Sequence, residues 1–353
     1  MRIFIAYLFM LIWASLGAQT TVSGNVSGTW TLANSPYLVS NNIDVPGGQT
    51  LVIQPGVQVI FQGFYRFGIT GQLVAEGTAN LPIIFSQQDT TGWFNDQQMA
   101  GGWRGLYFAP LATTDSSRLV HCIVKDVKHG LFGNANGFAA LYIYGRGLTV
   151  RNCEFTHNQS IANASEGKII VSTPSAGQSL TLESCYLHDN RTRVAMIFNA
   201  GLALLQENEM SFNSGGSTVW SLGGGLQFRS NNVHDNSSIY DMTALRVDGG
   251  NNWIINNRIH HNVAEREGAI LCTMGKTLIE SNLICNNYTL NGNCGATDGG
   301  GGIRVAHNNN GIWDSTIYTI RNNVIANNHC AFNGGGIYVY ECKVNIVNNH
   351  KIG

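Results

Sequence analysis

Apolar and polar residues alternate along this chain in short runs, and glycine or asparagine separates one run from the next. Alternation with a period of two predicts half-buried β-strands, and the runs do not follow the 3.6-residue period of an amphipathic helix. The heptad SNNVHDN at 230–236 shows how the runs are organised, because it has relatives throughout the second two-thirds of the sequence.

Seven such segments align on a final asparagine, which we call the anchor. They read NCEFTHN (152–158), SCYLHDN (184–190), ENEMSFN (207–213), SNNVHDN (230–236), NNRIHHN (256–262), SNLICNN (281–287) and NNVIANN (322–328). The anchors are Asn158, Asn190, Asn213, Asn236, Asn262, Asn287 and Asn328, with separations of 32, 23, 23, 26, 25 and 41 residues. A period of 23 to 26 residues with two longer insertions is typical of a solenoid.

Positions counted back from the anchor keep their chemistry from repeat to repeat. The residue three before the anchor is apolar, and the residue five before it is cysteine in two repeats and asparagine in the others. Apolar pairs lie eight and ten residues before the anchor, and a third alternating segment lies about seventeen before it in most repeats. Three short strands per turn, stacked about 4.8 Å apart, predict an all-β, right-handed parallel β-helix with about 22–26 residues per coil and loop insertions. Its corner asparagines should bond to each other from rung to rung.

The two ends of the chain differ from the repeats. Residues 1–18 have one early arginine, an apolar run and small residues before residue 19, which predicts a signal peptide and therefore a secreted or cell-surface protein. We expect residues 19–46 to form an N-terminal cap, 47–118 to form irregular coils and 119–353 to form regular coils. The last residues, KVNIVNNHKIG, show no polar cap, which predicts truncation or a further C-terminal domain or partner.

Composition narrows the choice of partners. Only 12% of the residues are charged and the formal net charge is -1, which gives no electrostatic case for nucleic acid. No segment after the signal peptide is long and apolar enough to predict a membrane span. Of the eight cysteines, Cys122, Cys153 and Cys185 occupy equivalent positions and should stack in the core, while Cys294 and Cys330 are the candidate disulfide.

These segments resemble secreted bacterial right-handed parallel β-helix proteins of the pectate-lyase-like superfamily. TLVIQPGVQVIF, GQLVAEGT and PIIF are similar to the N-terminal coils of those proteins, and NNVIANN and GGGIYV are similar to their generic repeat. EGAI (267–270) and FTHN (155–158) also resemble repeats of polymorphic outer-membrane adhesins and autotransporters. The resemblance implies a polysaccharide lyase or hydrolase, a glycan-binding protein or a surface adhesin.

The catalytic motifs of the best-known enzymes of this superfamily are missing from the sequence. The NTD, DD and RIK elements of polygalacturonases do not occur, and KHG at 128–130 is the nearest match to their GHG. The RxPxxR element of pectate lyases is also absent. No catalytic residue can therefore be transferred from the resemblance, which favours a protein that is not an enzyme.

A row of outward residues in the third strand set is the strongest candidate for a binding surface. On successive coils it is predicted to contain Tyr142, Ile197, Trp220, Arg246, Leu271, Arg304 and Tyr338. Aromatic rings suit the faces of sugars, and arginine forks suit uronate or sulfate groups. We therefore predict an extended, acidic glycan on Tyr142, Trp220, Arg246, Arg304 and Tyr338, with burial under a loop as the structural alternative.

Two weaker sites come from charged residues. His234, Asp235, His260 and His261 fall on neighbouring rungs and could share a metal ion, although any polar residue would suit such a solvated corner. Arg246, Asp248 and Asp298 are the candidate catalytic groups of a lyase or hydrolase. A lyase would also use a cation, often calcium, and no other cofactor is predicted.

The sequence thus favours an exported or cell-surface protein that binds glycans without catalysis. A polysaccharide lyase or glycoside hydrolase that acts on an acidic polysaccharide is the first alternative, and a structural surface stalk is the second.

Overall fold

The computed structural model describes residues 19–110, 117–129, 139–160, 167–238, 244–290, 299–306, 317–331 and 333–352. In these ranges the chain winds through three stacks of parallel strands, and the one helical element is a 3-10 turn at Leu32–Asn34. The predicted right-handed parallel β-helix is confirmed.

We name the stacks sheets I, II and III in the order in which a regular coil passes through them. Sheet I contains Gly28–Trp30, Thr50–Ile53, Gln72–Glu76, Arg118–Val120, Leu148–Arg151, Ser179–Glu183, Leu202–Gln206, Gly225–Arg229, Asn251–Ile255, Lys276–Glu280, Ile317–Arg321 and Lys343–Val347. Sheet II contains Gln58–Phe61, Ile83–Gln87, Cys122–Lys125, Glu154–Thr156, Tyr186–His188, Glu209–Ser211, Asn232–His234, Arg258–His260, Leu283–Cys285, Val324–Ala326 and His350–Ile352.

The chain reaches sheet III from sheet II through the longest connection of each coil. It contains Phe67–Ile69, Leu106–Phe108, Leu141–Tyr144, Lys168–Thr173, Ala195–Asn199, Ser217–Leu222, Leu245–Asp248, Ile270–Thr273, Ile303–Ala306 and Ile337–Tyr340. Two long strands, Thr20–Asn25 and Tyr37–Val45, pair with each other and run through both sheets II and III. The segment predicted as a cap therefore contributes strands to the sheets themselves.

A short ladder of strands lies at the corner between sheets II and III. We call it the corner ladder, and it was not predicted from the sequence. Its two-residue strands are Lys128–His129, Gln159–Ser160, Arg191–Thr192, Ser214–Gly215, Ser237–Ser238, Val263–Ala264 and Tyr288–Thr289. Strands of two residues are too short to show an alternating pattern, which is why no strand was predicted there.

Inward-facing side chains from all three sheets form one continuous apolar core. The residues predicted three before the anchor are at most 2% exposed, and Phe155, Val233 and Ile284 are examples with no exposed surface. The last described coil is more open, since Val339 is 40% and Ile346 is 45% exposed, whereas their partners one rung earlier, Val305 and Ile320, are fully buried.

Two asparagine ladders hold successive coils in register, as predicted. In one, the side-chain amide of each anchor donates to the Oδ1 of the next anchor, at 2.9–3.0 Å from Asn158 to Asn328. The other ladder runs from Asn208 to Asn349 at the corner between sheets I and II. The ladders satisfy buried backbone groups that a polypeptide corner would otherwise leave without partners.

The left-handed backbone conformation falls on the residue before each ladder asparagine and not on the asparagine itself. The residues before the anchors are His157, Asp189, Phe212, Asp235, His261, Asn286 and Asn327, with φ between 52° and 55°. Asparagine, aspartate and histidine tolerate this conformation better than most residues. This explains why polar residues recur one position before the anchor.

Arg146 fixes the first coils of sheet III. Its guanidinium is buried and donates to the carbonyls of Ile69, Ala109 and Gly71 at 3.0–3.2 Å and to the Ser117 hydroxyl at 3.1 Å. Burial lowers its pKa to about 10, so the side chain still carries its charge at neutral pH. These bonds hold the ends of two strands whose outer residues belong to the candidate site.

Candidate functional site

A row of large side chains runs along the outer face of sheet III, parallel to the axis of the solenoid. We call it the outer row. Strand register places in it Asp44, Gly68, Tyr107, Tyr142, Val171, Phe198, Trp220, Arg246, Leu271, Arg304 and Tyr338. Because each member lies one rung beyond the last, neighbours are about 4.8 Å apart along the axis.

One predicted member of the row was wrong. Ile197 faces the core and has no exposed surface, and Phe198 takes the outward position beside Trp220. The run Ala195–Phe198 is apolar throughout, so alternation could not fix its phase, and a shift of one residue exchanges the two faces of a strand. The coil near Ile170, left out of the prediction, contributes Val171.

Trp220, Arg246 and Asp248 form a closed cluster at the middle of the row. The carboxylate Oδ2 of Asp248 accepts hydrogen bonds from the Trp220 indole and from Arg246 Nε, both at 2.8 Å. Its Oδ1 accepts from the Thr273 hydroxyl at 2.6 Å. The Arg246 guanidinium lies 4.6 Å from the centre of the Trp220 ring, within the range of a cation–π contact.

Phe198 continues the aromatic surface from Trp220 toward the N-terminal coils. The two rings meet edge to face with centroids 5.5 Å apart, and Lys168 Nζ lies 4.7 Å from the Phe198 centroid. Both rings are half-buried, so their conformations are restricted before any ligand binds. Neither Phe198 nor Lys168 was predicted from the sequence.

A second aromatic pair lies at the N-terminal end of the row. Tyr107 and Tyr142 stack with centroids 5.5 Å apart, and Arg66 lies 5.4 Å from the Tyr107 ring centre. Arg66 also contacts Asp44 at 3.1 Å. Arg104 lies two residues before the strand Leu106–Phe108 that carries Tyr107; burial lowers its pKa, and the nearby charge of Arg66 lowers it further. Tyr107 could have been found from the sequence, since it is flanked by Leu106 and Phe108 in the same alternating pattern.

Gly68 makes room for this arrangement. A Cβ at this position would lie 1.9 Å from Oδ1 of Asp44, so any larger residue would have to displace the Asp44 side chain. The Asp44 side chain in that position contacts Arg66, whose guanidinium lies over the Tyr107 ring.

The C-terminal part of the row is less accessible. Leu271 and Arg304 are only 2% and 8% exposed, and Arg304 Nη1 contacts Glu267 Oε1 at 2.6 Å. Tyr338 is half-buried and stacks near Tyr340, with centroids 6.5 Å apart. The predicted residues Tyr142, Trp220, Arg246 and Tyr338 therefore offer surface to a ligand, whereas Arg304 is largely covered.

The candidate catalytic groups do not form a free acid/base pair in the described residues. Both carboxylate oxygens of Asp248 already accept hydrogen bonds, and Arg246 Nε is used by the same carboxylate. The third candidate, Asp298, lies outside the described residues. This arrangement suits a rigid binding surface better than proton transfer.

The histidine candidates lie on sheet II and its corner, away from the outer row. His234 Nδ1 is 2.7 Å from Asp235, and His260 Nδ1 is 2.9 Å from His261 Nδ1. The His234 and His260 rings stack with centroids 5.0 Å apart. Burial lowers the pKa of His260, and the charges of His234 and His261 lower it further. In the described residues no group of three or more His, Cys, Asp or Glu side chains could hold a metal ion.

A carboxylate contact that the sequence did not reveal repeats on this face. His188 Nε2 lies 3.1 Å from Glu154 and its Nδ1 lies 2.7 Å from Asp189. His234 makes the same two contacts, with Glu209 at 3.2 Å and with Asp235. Each histidine thus joins the preceding coil to its own corner, which is a structural reason for its position.

The cysteines have the predicted core positions. Cys122, Cys153 and Cys185 are buried in one column, and burial raises the thiol pKa of Cys153 and Cys185 well above the usual value. The column continues as the asparagine ladder, since the backbone N–H of Cys185 donates to Asn208 Oδ1 at 2.9 Å. Cys294 lies outside the described residues, so its pairing with Cys330 stays a prediction.

The sequence predicted no membrane span after the signal peptide. Among the described residues, no helix is both long and apolar enough to cross a bilayer.

Comparison with known proteins identifies structural similarity at low sequence identity. No sequence profile of a known family matches the chain, and no curated protein matches it. The chain is similar to the periplasmic alginate epimerase AlgG, with 10% identity, a TM-score of 0.35, and coverage of 90% of this chain and 76% of that one. It is also similar to the A-module of the mannuronan C-5 epimerase AlgE4 of Azotobacter vinelandii, with 12% identity, a TM-score of 0.31, and coverage of 96% and 89%.

Similarities this distant carry no information on activity, and the fold is identified by the strand topology. The three parallel sheets, the one-coil spacing of their strands and the asparagine ladders are the evidence. The chain has a right-handed parallel β-helix fold.

Proposed function

We propose that this chain is an exported or cell-surface protein that binds a glycan along the outer row of sheet III without chemical change to the glycan. The observation that carries the proposal is a pair of aromatic and cationic groups on the outer row, Tyr107 and Tyr142 beside Arg66, and Phe198 and Trp220 beside Arg246, with the buried Val171 between the two groups. Rings held on a rigid sheet offer the apolar surface that their neighbours leave uncovered to successive sugars.

The geometry favours binding for two physical reasons. The rings of Tyr107, Tyr142, Phe198 and Trp220 are held by neighbouring side chains, so little conformational entropy is lost when a ligand binds. The row also has one member on each successive rung, because parallel stacking pairs each residue with the next one along the row. An extended polymer can therefore contact several rings at once.

The competing functions differ in what they require. A polysaccharide lyase or glycoside hydrolase needs a carboxylate or other base that can reach its substrate, whereas Asp248 is only 4% exposed and accepts three hydrogen bonds from its neighbours. A structural stalk needs no ligand at all, and it would give no reason for half-buried aromatic rings and cations to share one row.

The proposal predicts that Trp220→Ala weakens glycan binding by about tenfold or more, because the central ring of the row and its contact with Arg246 are lost. The measurement is affinity electrophoresis against polygalacturonate, alginate, glucuronan, their carboxyl-reduced counterparts, xylan and dextran. The same mixtures are assayed for new reducing ends and for unsaturated products.

Trp253→Ala is the matched control. Trp253 is 38% exposed on the outer face of sheet I and lines a shallow cavity of about 260 Å³, but its register partners are Gln227 and Leu278 and not other rings. It should leave retention unchanged. New reducing ends or unsaturated products would show that the protein is an enzyme and would contradict the proposal. If the wild-type protein is retained by none of the glycans, the structural stalk is the remaining function.

A further inference from the structure

Asp248 is a buried carboxylate within the outer row. The residue is 4% exposed, although it lies two positions after Arg246 on the outer side of the same strand. One oxygen joins the Trp220 indole to the Arg246 guanidinium, and the other is held by Thr273 on the next rung. Few rearrangements of Trp220 or Arg246 are possible without breaking one of these bonds.

We propose that Asp248 is a positioning and specificity residue: it sets the orientation of Trp220 and Arg246 and cancels the charge of the guanidinium. This part of the row then prefers an uncharged sugar to a carboxylated one. This inference rests on the proposed function. It changes the predicted ligand of this part of the row from the acidic glycan that the arginines alone suggest to an uncharged one.

The distances around Arg246 disfavour a uronate at this position. A uronate placed on Arg246 would bring a second carboxylate beside Asp248, whose Oδ2 is 2.8 Å from Arg246 Nε. Two carboxylates that share one cation repel each other, and the repulsion grows in a site that water has left. An uncharged sugar ring contacts Trp220 without this cost, since it adds no charge to the pair.

The same pairing recurs at other arginines along sheet III. Arg66 contacts Asp44 at 3.1 Å, and Arg304 contacts Glu267 at 2.6 Å. Lys168 adds a positive charge beside Phe198, two rungs from Arg246. We test the preference for uncharged sugars at Asp248, because its contacts with Arg246, Trp220 and Thr273 are all defined.

The experiment compares wild-type protein with Asp248→Asn on uronate polymers and their carboxyl-reduced counterparts, by affinity electrophoresis. The wild type should bind the reduced polymer at least as tightly as the acidic one, and its affinity should change less than about twofold between low and high salt. Asp248→Asn should shift the ratio toward the acidic polymer by about tenfold, with a new dependence on salt.

An indole signal separates positioning from a general effect on folding. The Nε1–H resonance of Trp220, assigned by its loss in Trp220→Phe, should move in Asp248→Asn because its acceptor is altered. Glu280→Gln is the matched control, since it removes one negative charge from an arginine pair on sheet I, where Glu280 contacts Arg321 at 2.8 Å. It should move neither the ratio nor the signal.

Two results would overturn the inference. One is a wild-type chain that binds the acidic polymer several-fold more tightly than the reduced one, with strong salt dependence, and this test stands even if Asp248→Asn does not fold. The other is an unchanged ratio in a folded Asp248→Asn protein. Failure of the proposed function looks different, because the wild type would then bind neither polymer and Trp220→Ala would change nothing.

Discussion

Replacing Gly215 by alanine should lower the free energy of unfolding by more than about 4 kcal/mol, the largest effect that we expect from a single methyl group. Gly215 belongs to the corner ladder, has a φ of +118° and approaches the preceding coil closely. A Cβ there would lie 1.5 Å from the carbonyl oxygen of Thr192, so the two coils would have to separate. Urea unfolding followed by circular dichroism measures the loss.

Gly177→Ala separates the clash from the backbone conformation. Gly177 also has a positive φ, of +79°, but an added Cβ would meet nothing within 4 Å. It should cost only about 1 kcal/mol, from the left-handed conformation alone. Equal losses in the two variants would contradict the close approach of coils at Gly215.

Asn236→Ala should lower the free energy of unfolding by about 4 kcal/mol, because it breaks one anchor ladder in its middle. Its Oδ1 accepts from the backbone N–H of Asn213 at 3.0 Å and from the Asn213 side-chain amide at 2.9 Å. Its Nδ2 donates to the carbonyl of Met210 at 2.9 Å and to Asn262 Oδ1 at 3.0 Å. Alanine would leave four buried polar groups without these partners, at about 1–3 kcal/mol each before relaxation.

Asn232→Ala is the matched control, because it makes the same substitution in the same heptad at an asparagine outside the ladder. Asn232 lies on the outer face of sheet II, where its Oδ1 is 3.1 Å from His260 Nε2, and water can replace that partner. We expect a change within about 1 kcal/mol. A loss at Asn232 as large as that at Asn236 would mean that the ladder does not carry the stability assigned to it. The same urea titration measures both.

Much of the fold follows from spacing alone. The anchor asparagines and the apolar residue three before them repeat because each coil must bury the same position and satisfy the same corner, as Asn236 and Val233 show. The corner ladder could not be predicted, since pairs such as Ser214–Gly215 carry no apolar pattern and are defined only by the coils on either side.

The candidate site was predictable as a row but not in its details. Alternation placed Tyr142, Trp220 and Arg246 outward, whereas the apolar run at 195–198 hid the choice between Ile197 and Phe198. In the sequence Asp248 was only a candidate catalytic group beside Arg246. Its role depends on a bond to Trp220 on another coil, 28 residues earlier, which no local pattern encodes.

The most direct test of the central claim is hydroxyl-radical footprinting of the protein with a saturating amount of the retained polysaccharide, cut to short oligomers. The account predicts protection of Tyr107, Tyr142, Phe198 and Trp220 on sheet III, with unchanged oxidation of Phe212 and Trp253, which are exposed on other faces at 57% and 38%. Protection confined to Phe212 or Trp253, with the four rings of the outer row oxidised as in the free protein, would contradict it.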